Sequence, residues 1–104
     1  MNWAEGDDMP ADPDRERSVV EPYLRAIGRG REELTTPALL LETEAARANI
    51  RRMAQRLTGP TKLRPHAKLH KCPQIAKWQL EAGAIGITVA TVWEAAALAR
   101  EGIR

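Results

Sequence analysis

The strongest constraint on the fold is an alternation of strand-like and helix-like patterns that begins at Thr61. An alternating segment at residues 62–70 precedes a helical pattern that opens at Pro73, and an apolar run at residues 85–90 precedes a second one that opens at Thr91. Only a few residues connect these elements. Strands that alternate with helices in this way are typical of parallel α/β sheets and barrels. The sequence therefore predicts the first βα units of an α/β fold.

The chain divides by composition into three predicted regions. Residues 1–17 are acidic and contain two prolines, which predicts a disordered tail. Residues 18–32 predict a short helix, opened by a capping box of Ser18 and Glu21, followed by a linker. Residues 33–104 are predicted to form the α/β part.

The α/β part opens with a continuous apolar run at residues 38–41, which predicts a strand buried on both faces. A helical pattern follows from Glu44. Its apolar stripe consists of Ala46, Ile50, Met53, Ala54 and Leu57. Four arginines lie away from that stripe, and such a face is typically solvated. They are Arg47, Arg51, Arg52 and Arg56.

The length of the chain is small for this fold. It has 104 residues, whereas an eight-stranded α/β barrel takes about 250. Another strand is expected to begin after Gly102, and an open sheet of two or three strands would have exposed edges. We therefore expect an incomplete barrel that forms the N-terminal part of a larger protein.

Composition excludes several partners and settings. The net charge of +2 is too small to predict nucleic-acid binding, and no apolar run approaches the ~20 residues that span a membrane. The only cysteine, Cys72, excludes an intramolecular disulfide. A cysteine-poor chain is typical of a reducing compartment, so we expect a cytoplasmic protein with no nucleic-acid or membrane partner.

Basic side chains occupy alternate positions of the segment before Pro73. They are Lys62, Arg64, His66, Lys68 and His70. A period of two places them on one face of a strand, which predicts either an active-site face or a surface strand with a basic face. Lysine is a nucleophile only when neutral, and catalytic residues lie at the C-terminal ends of barrel strands. The position at the strand end favours Lys68 over Lys62, which lies at the start of the strand, and the alternation favours Lys68 over Lys71.

Two other kinds of site are weaker candidates on the same segment. His66, His70 and Cys72 have a spacing compatible with zinc, but a structural zinc site takes four ligands and the chain has no further histidine or cysteine. Nothing near Cys72 indicates a nucleophilic thiol, so we predict a small buried thiol beside a helix start. Pro65 is unexpected inside a central strand and makes the placement of Arg64 on the basic face less secure.

The stretch at residues 63–73, Leu-Arg-Pro-His-Ala-Lys-Leu-His-Lys-Cys-Pro, closely resembles the cofactor-lysine segment of the D-threonine aldolase and D-serine dehydratase family. These are pyridoxal-phosphate enzymes of the alanine racemase (fold type III) architecture. Residues 36–42 resemble the opening strand of that family, and residues 79–95 resemble its next βα unit. The resemblance covers residues 33–103. Leu69 departs from it, since members often carry threonine or another small residue there.

The resemblance implies a fold, a cofactor and an activity. The fold is a pyridoxal 5'-phosphate-binding (β/α)8 TIM barrel, in which Lys68 forms the Schiff base. Arg64, His66 and His70 are predicted to bind the cofactor beside it. The implied activity is a lyase reaction on β-hydroxy D-amino acids, of the D-threonine aldolase or D-serine dehydratase type.

The remaining implications concern parts that lie outside these residues. A divalent metal is expected only with ligands beyond the end of this chain, and the complete protein is expected to be a homodimer. The family pattern also places the apolar strand at Leu39 in a second, β-rich domain. Two alternatives stay open: an amino-acid racemase of the same fold, and a truncated cofactor-binding fragment with no activity of its own.

Overall fold

The fold is seen in a computed structural model, which describes residues 13–103. The helices are α1 (Pro13–Leu24), α2 (Thr43–Gln55), α3 (Pro73–Glu81) and α4 (Val92–Arg100), with a 3₁₀ turn at Arg31–Glu33. Contacts divide the chain into two units, which meet in sequence at Leu40 and Leu41 and are described separately. Within the described range, every helix is too short or too polar to cross a bilayer.

The first unit contains a helix that begins earlier than predicted. α1 starts at Pro13, a residue type favoured in the first turn, so Ser18 lies inside the helix and the predicted capping box is wrong. The apolar residues Tyr23 and Leu24 are exposed, while Ala26 is buried. Residues 13–17 of the predicted tail therefore belong to a helix, and residues 1–12 lie outside the described residues.

The apolar run at residues 38–41 does not form the predicted buried strand. It has no regular secondary structure, and Leu39, Leu40 and Leu41 are all exposed. A strand is stable only when a neighbouring strand satisfies its backbone, and no described segment pairs with this run. The sequence pattern identified apolar residues correctly, but their burial requires a partner.

The second unit begins with α2, which confirms the helix predicted from Glu44. The side chain of Glu42 caps it by accepting a hydrogen bond from the Ala45 N–H at 3.0 Å. α2 packs against α3. Arg47 is a correction to the predicted solvated face, because its guanidinium lies 4.4 Å from the centroid of the Trp78 ring.

Two extended segments, residues 63–67 and residues 85–88, precede α3 and α4, respectively, and run parallel. A parallel bridge joins His66 to Thr88. The Thr88 N–H donates to the Pro65 carbonyl and the Ala67 N–H donates to the Thr88 carbonyl, both at 2.8 Å. Pro65 is compatible with this pairing because the ladder uses only its carbonyl. The parallel βα order predicted from the sequence is therefore present, although it is limited to a single bridge.

The predicted strand at residues 62–70 ends early. Its pairing stops at His66 and Ala67, and residues 67–70 form a turn closed by the Lys71 N–H, which donates to the Ala67 carbonyl at 2.8 Å. The prediction that five basic side chains share one strand face is therefore wrong from Ala67 onward. Lys68 and His70 lie in or beside the turn.

The boundaries of α3 and α4 follow local sequence signals, and Pro73 and Thr91 open these helices as predicted. Pro73 is the first residue of α3, and Gly83 follows its C-terminus with a φ of 106°. Thr91 caps α4 by accepting a hydrogen bond from the Glu94 N–H at 3.2 Å. The apolar run at residues 85–90 is only partly buried, since Ile85 is exposed.

Four buried residues form the core of the second unit. They are Ala67, Ala76, Leu98 and Ile103. Leu80, Ile87 and Val89 pack against them and are partly buried. Ala67 belongs both to this core and to the turn that carries Lys68, so the core fixes one end of that turn.

Candidate functional site

The candidate site is built around residues 67–71, which we name the lysine turn. Its first residue, Ala67, is 2% exposed and is tied to the second extended segment through Thr88. Its last residue, Lys71, returns a hydrogen bond to Ala67. Between these two anchors Lys68 and Leu69 are exposed. The amine of Lys68 is thus presented by a short, backbone-anchored turn at the C-terminal end of the first extended segment.

Both histidines of the chain bond to the backbone beside Lys68. His66 Nδ1 accepts the Lys68 N–H, and His70 Nδ1 accepts the Cys72 N–H, each at 3.1 Å. Side chains that capture a nearby N–H compete with a β-ladder, which explains why the strand predicted through His70 ends at His66. Residue spacing alone does not reveal this competition, because alternation looks the same with and without it.

These bonds fix the tautomer of each neutral imidazole. A ring nitrogen that accepts a hydrogen bond carries no proton, so the proton resides on Nε2 in both rings. In His70 that Nε2 is buried and has no hydrogen-bond partner among the described residues. His70 therefore holds a buried N–H donor that a ligand or a further part of the protein can satisfy.

Arg64 lies across the second extended segment. Its guanidinium covers Gly86, where an added Cβ would lie 2.9 Å from the Arg64 Cζ. Gly86 therefore leaves the space that the guanidinium occupies. This contact places the positive charge of Arg64 over the neighbouring segment.

Lys71 and Glu94 form an ion pair that the sequence did not predict. Lys71 Nζ lies 3.2 Å from Glu94 Oε1, and the side chains are 67% and 16% exposed, respectively. The second carboxylate oxygen, Oε2, accepts the Ala90 N–H at 2.8 Å. The Ala90 hydrogen bond lowers the pKa of Glu94 below its usual value, Lys71 lowers it further, and desolvation opposes both. No pattern in the sequence indicated this ion pair.

A cavity of about 280 Å³ adjoins the lysine turn. Its lining includes Ala67, Lys71, Pro73, Trp93, Glu94 and Leu98. The turn and the start of α4 therefore share one concave surface, of which Trp93 is an exposed part.

No metal centre is present in the part of the chain that the structure describes. It contains no group of at least three histidine, cysteine, aspartate or glutamate side chains placed to hold a metal ion. His66 and His70 each use Nδ1 to accept a backbone N–H, which leaves Nε2 as the free nitrogen. Cys72 lies at the N-cap of α3, beside a helix start as predicted, but its thiol is only half-buried and not fully buried as expected.

The donor set around the turn fits pyridoxal 5'-phosphate, the cofactor implied by the resemblance. That group is anionic, carries acceptor oxygens and has an aldehyde that reacts with amines. Lys68 provides an exposed amine, Arg64 a cation, and His70 a buried N–H without a partner in residues 13–103. Each of these complements one property of the cofactor.

Comparison with known proteins identifies the class of domain. The family described as alanine racemase, N-terminal domain, matches residues 41–104, more than half of the chain. The chain therefore belongs to the alanine racemase N-terminal domain family. This match confirms the predicted fold class, a barrel of the alanine racemase type, to which the second unit contributes βα units.

Individual relatives narrow the resemblance further. The chain is 46% identical over 89 residues, 85% of its length, to a D-threonine aldolase from Arthrobacter sp.. It is 44% identical over 63 residues, 60% of its length, to a D-threo-3-hydroxyaspartate dehydratase from Delftia sp.. A 3-hydroxy-D-aspartate aldolase from Paracoccus denitrificans is 35% identical over 79 residues, 74% of the chain. The family resemblance predicted from the basic segment is confirmed.

The matches cover only a minor part of each relative. They span 24% of the Arthrobacter protein, 17% of the Delftia protein and 20% of the Paracoccus protein. The chain thus spans a quarter or less of the length of these curated relatives.

Proposed function

We propose that this chain carries the cofactor lysine of a pyridoxal 5'-phosphate-dependent lyase that acts on β-hydroxy D-amino acids. One observation carries the proposal. Lys68 is exposed on a short turn anchored at both ends, directly after the first extended segment of a domain of the alanine racemase N-terminal family. In a parallel barrel that is the end of a strand where catalytic residues lie.

Each candidate residue has a distinct role in the proposal. The Lys68 amine would hold the cofactor as a Schiff base, and the Arg64 guanidinium would attract its phosphate. His70 would donate its buried Nε2–H to an acceptor oxygen. His66 fixes the Lys68 backbone through its Nδ1 and offers its own Nε2–H. When bound, the cofactor supplies an electron sink for charge that develops on the substrate.

The reaction type is either aldol cleavage or dehydration. Two of the relatives are named as aldolases and one as a dehydratase, which supports both outcomes. The two reactions differ in whether the Cα–Cβ bond or the bond from Cβ to the hydroxyl oxygen is broken. The proposal therefore includes enzymes of the D-threonine aldolase and D-serine dehydratase types.

Several further features complete the proposal. A divalent metal near the β-hydroxyl would take its ligands from outside the described residues. The complete protein would be a cytoplasmic homodimer whose small-molecule partner is a D-amino acid, with no nucleic-acid or membrane partner. Cytoplasmic placement is supported by the single cysteine of the chain.

The first test identifies the lysine. The full-length protein is incubated with pyridoxal 5'-phosphate, reduced with borohydride and digested, and the labelled peptide is sequenced. We expect the label on Lys68, and we expect the K68R variant to lose it. A K62R variant is the matched control and should label like wild type. Label on Lys62 or Lys71 in the wild-type protein would refute the assignment.

The second test separates the candidate activities. The loaded full-length protein is assayed with D-threonine, D-serine and D-3-hydroxyaspartate, with release of the aldehyde distinguishing cleavage from dehydration. Interconversion of alanine enantiomers without lyase activity would establish the racemase alternative instead. A labelled Lys68 without turnover of any of these substrates would leave a cofactor-binding chain and reject the lyase.

A further inference from the structure

We propose that the ion pair between Lys71 and Glu94 positions the lysine turn, so that both residues are positioning residues for Lys68. This inference rests on the proposed function of Lys68 as the cofactor lysine. It assigns a role to two side chains that the proposed function does not use. It also explains why a second lysine lies so close to the reactive one.

The first end of the lysine turn, at Ala67, is fixed by the backbone and by the core. Ala67 is buried and donates its N–H to the Thr88 carbonyl. From Lys68 onward the turn leaves the extended segment, and both Lys68 and Leu69 are exposed. The direction in which the Lys68 side chain projects therefore depends on how the far end of the turn, at Lys71, is held.

The far end is held in an uncommon conformation. Lys71 has a φ of 45°, in the left-handed region that non-glycine residues rarely adopt. This backbone conformation directs the chain into α3 while its N–H closes the turn on Ala67. A residue kept in a sparsely populated region requires compensating contacts from its surroundings. The ion pair of its side chain with Glu94 is such a contact.

Glu94 is itself firmly placed, which makes it a suitable anchor. It lies in the first turn of α4, where its own N–H donates to the Thr91 hydroxyl. Its Oε2 accepts the Ala90 N–H, and its Oε1 faces the Lys71 ammonium. The two oxygens of one carboxylate thus join the start of α4 to the end of the lysine turn.

Both anchors of the turn lead to one short stretch of chain. Ala67 is joined to Thr88, and Lys71 is joined to Glu94. The turn is therefore clamped against the junction between the second extended segment and α4. Loss of the ion pair removes the side-chain connection at the far end of the turn, which is then closed only by the backbone hydrogen bond from Lys71 to Ala67.

The experiment uses variants of the full-length protein that separate charge from bulk. K71M keeps the aliphatic stem and removes the charge, whereas K71R keeps the charge. E94Q removes the charge from the other partner and retains an acceptor for the Ala90 N–H. K77M is the matched control, because it removes an exposed ion pair that includes no residue of the turn, Lys77 with Glu101 at 3.7 Å.

Two measurements report on the turn. Hydrogen–deuterium exchange without cofactor follows the peptide that covers residues 67–71, with the peptide of α3 as an internal reference. Titration with pyridoxal 5'-phosphate, followed by the absorbance of the bound cofactor, gives its Kd. We expect K71M and E94Q to raise both the exchange rate and the Kd by about two- to fivefold, the range for a partly exposed ion pair. K71R and K77M should resemble wild type.

The outcomes that overturn the inference are distinct. Wild-type exchange and affinity in K71M and E94Q would show that the ion pair does not position the turn. A K71R variant as impaired as K71M would show that charge is not the property that matters. If K71M loses protection in α3 and does not fold, E94Q decides the question alone. Failure to label Lys68 in wild type rejects the proposed function, while the exchange measurement still decides the role of the pair.

Discussion

Leu98 is the residue whose truncation should most clearly reveal how the core supports the lysine turn. It is 6% exposed and shares the core with Ala67. It also borders two cavities, one of about 280 Å³ beside the turn and one of about 230 Å³ beside Ile103. We predict that L98A destabilises α4 and the lysine turn together. The Leu98 side chain belongs to α4 and shares the core with Ala67, the first residue of the turn.

The magnitude follows from the atoms removed and from the open space already present. Leucine to alanine removes three carbons, worth about 0.8 kcal/mol each when buried, or roughly 2.4 kcal/mol. Truncation in a closed core costs about 2–5 kcal/mol, because a new cavity adds to the transfer loss. Since Leu98 already borders two cavities, the additional free-energy cost of a new cavity is small. We therefore expect a loss of about 2–3 kcal/mol in the local free energy of opening.

Native-state hydrogen exchange of the full-length protein measures this quantity locally. The Ile103 N–H, which donates to the Leu98 carbonyl, and the Ala67 N–H are the reporters. The predicted loss of about 2–3 kcal/mol in the free energy of opening corresponds to amide exchange that is about 30- to 150-fold faster, where exchange reports the opening equilibrium. L69A is the matched control, because Leu69 is 91% exposed and the same truncation should change stability by less than about 0.5 kcal/mol. Equal effects of L98A and L69A would refute the assignment of Leu98 to the core.

Two further predictions concern contacts between charged side chains and their neighbours. R47M should lower the free energy of unfolding by about 0.5–1 kcal/mol, because it removes the cation–π contact between α2 and α3. R51M, on the same helix, is the control and should have little effect. Equal losses for the two variants in urea unfolding would contradict this prediction. Because the Ala90 N–H lowers the pKa of Glu94, the folded state binds fewer protons there than the unfolded state does. That contribution to stability is complete above the usual pKa of 4.5 and is lost as pH falls through the lower, folded value, so E94Q should flatten the acid side of a stability–pH profile.

The helices were predictable because their signals are local. Pro73 marks the start of α3, Gly83 follows its end, and Thr91 with Glu94 opens α4, as the residue types indicated. Each of these devices acts within one turn of its own helix, so a window of a few residues contains the whole cause. The start of α1 was mispredicted because two local signals competed and Pro13 lay further upstream than Ser18.

The extended segments were harder because their outcome depends on partners. Residues 38–41 have the composition of a buried strand, yet burial requires a neighbour that no described segment supplies. The strand predicted through His70 was wrong for a different reason. The period of two continued in the sequence after the backbone had left the strand, because His66 captured the N–H of Lys68. A side chain that bonds two residues ahead leaves no trace in a hydrophobic pattern.

The candidate lysine differs from its basic neighbours in the contacts of its side chain, and residue spacing alone did not reveal this difference. Between residues 64 and 71, all the basic side chains except that of Lys68 have an identified contact. Arg64 covers Gly86, His66 and His70 accept backbone N–H groups, and Lys71 pairs with Glu94.

Lys68 is the exception in that segment, since its side chain has no hydrogen bond or ion pair with the described residues and is exposed. Within residues 64–71 Lys68 therefore presents the one amine without a partner among the described residues, because the other amine, that of Lys71, is paired with Glu94. Engagement of the neighbours, more than a shared strand face, is what distinguishes Lys68. A substitution of Glu94 that releases Lys71, such as E94Q, should therefore allow the Lys71 amine to compete with Lys68 for the aldehyde of the cofactor.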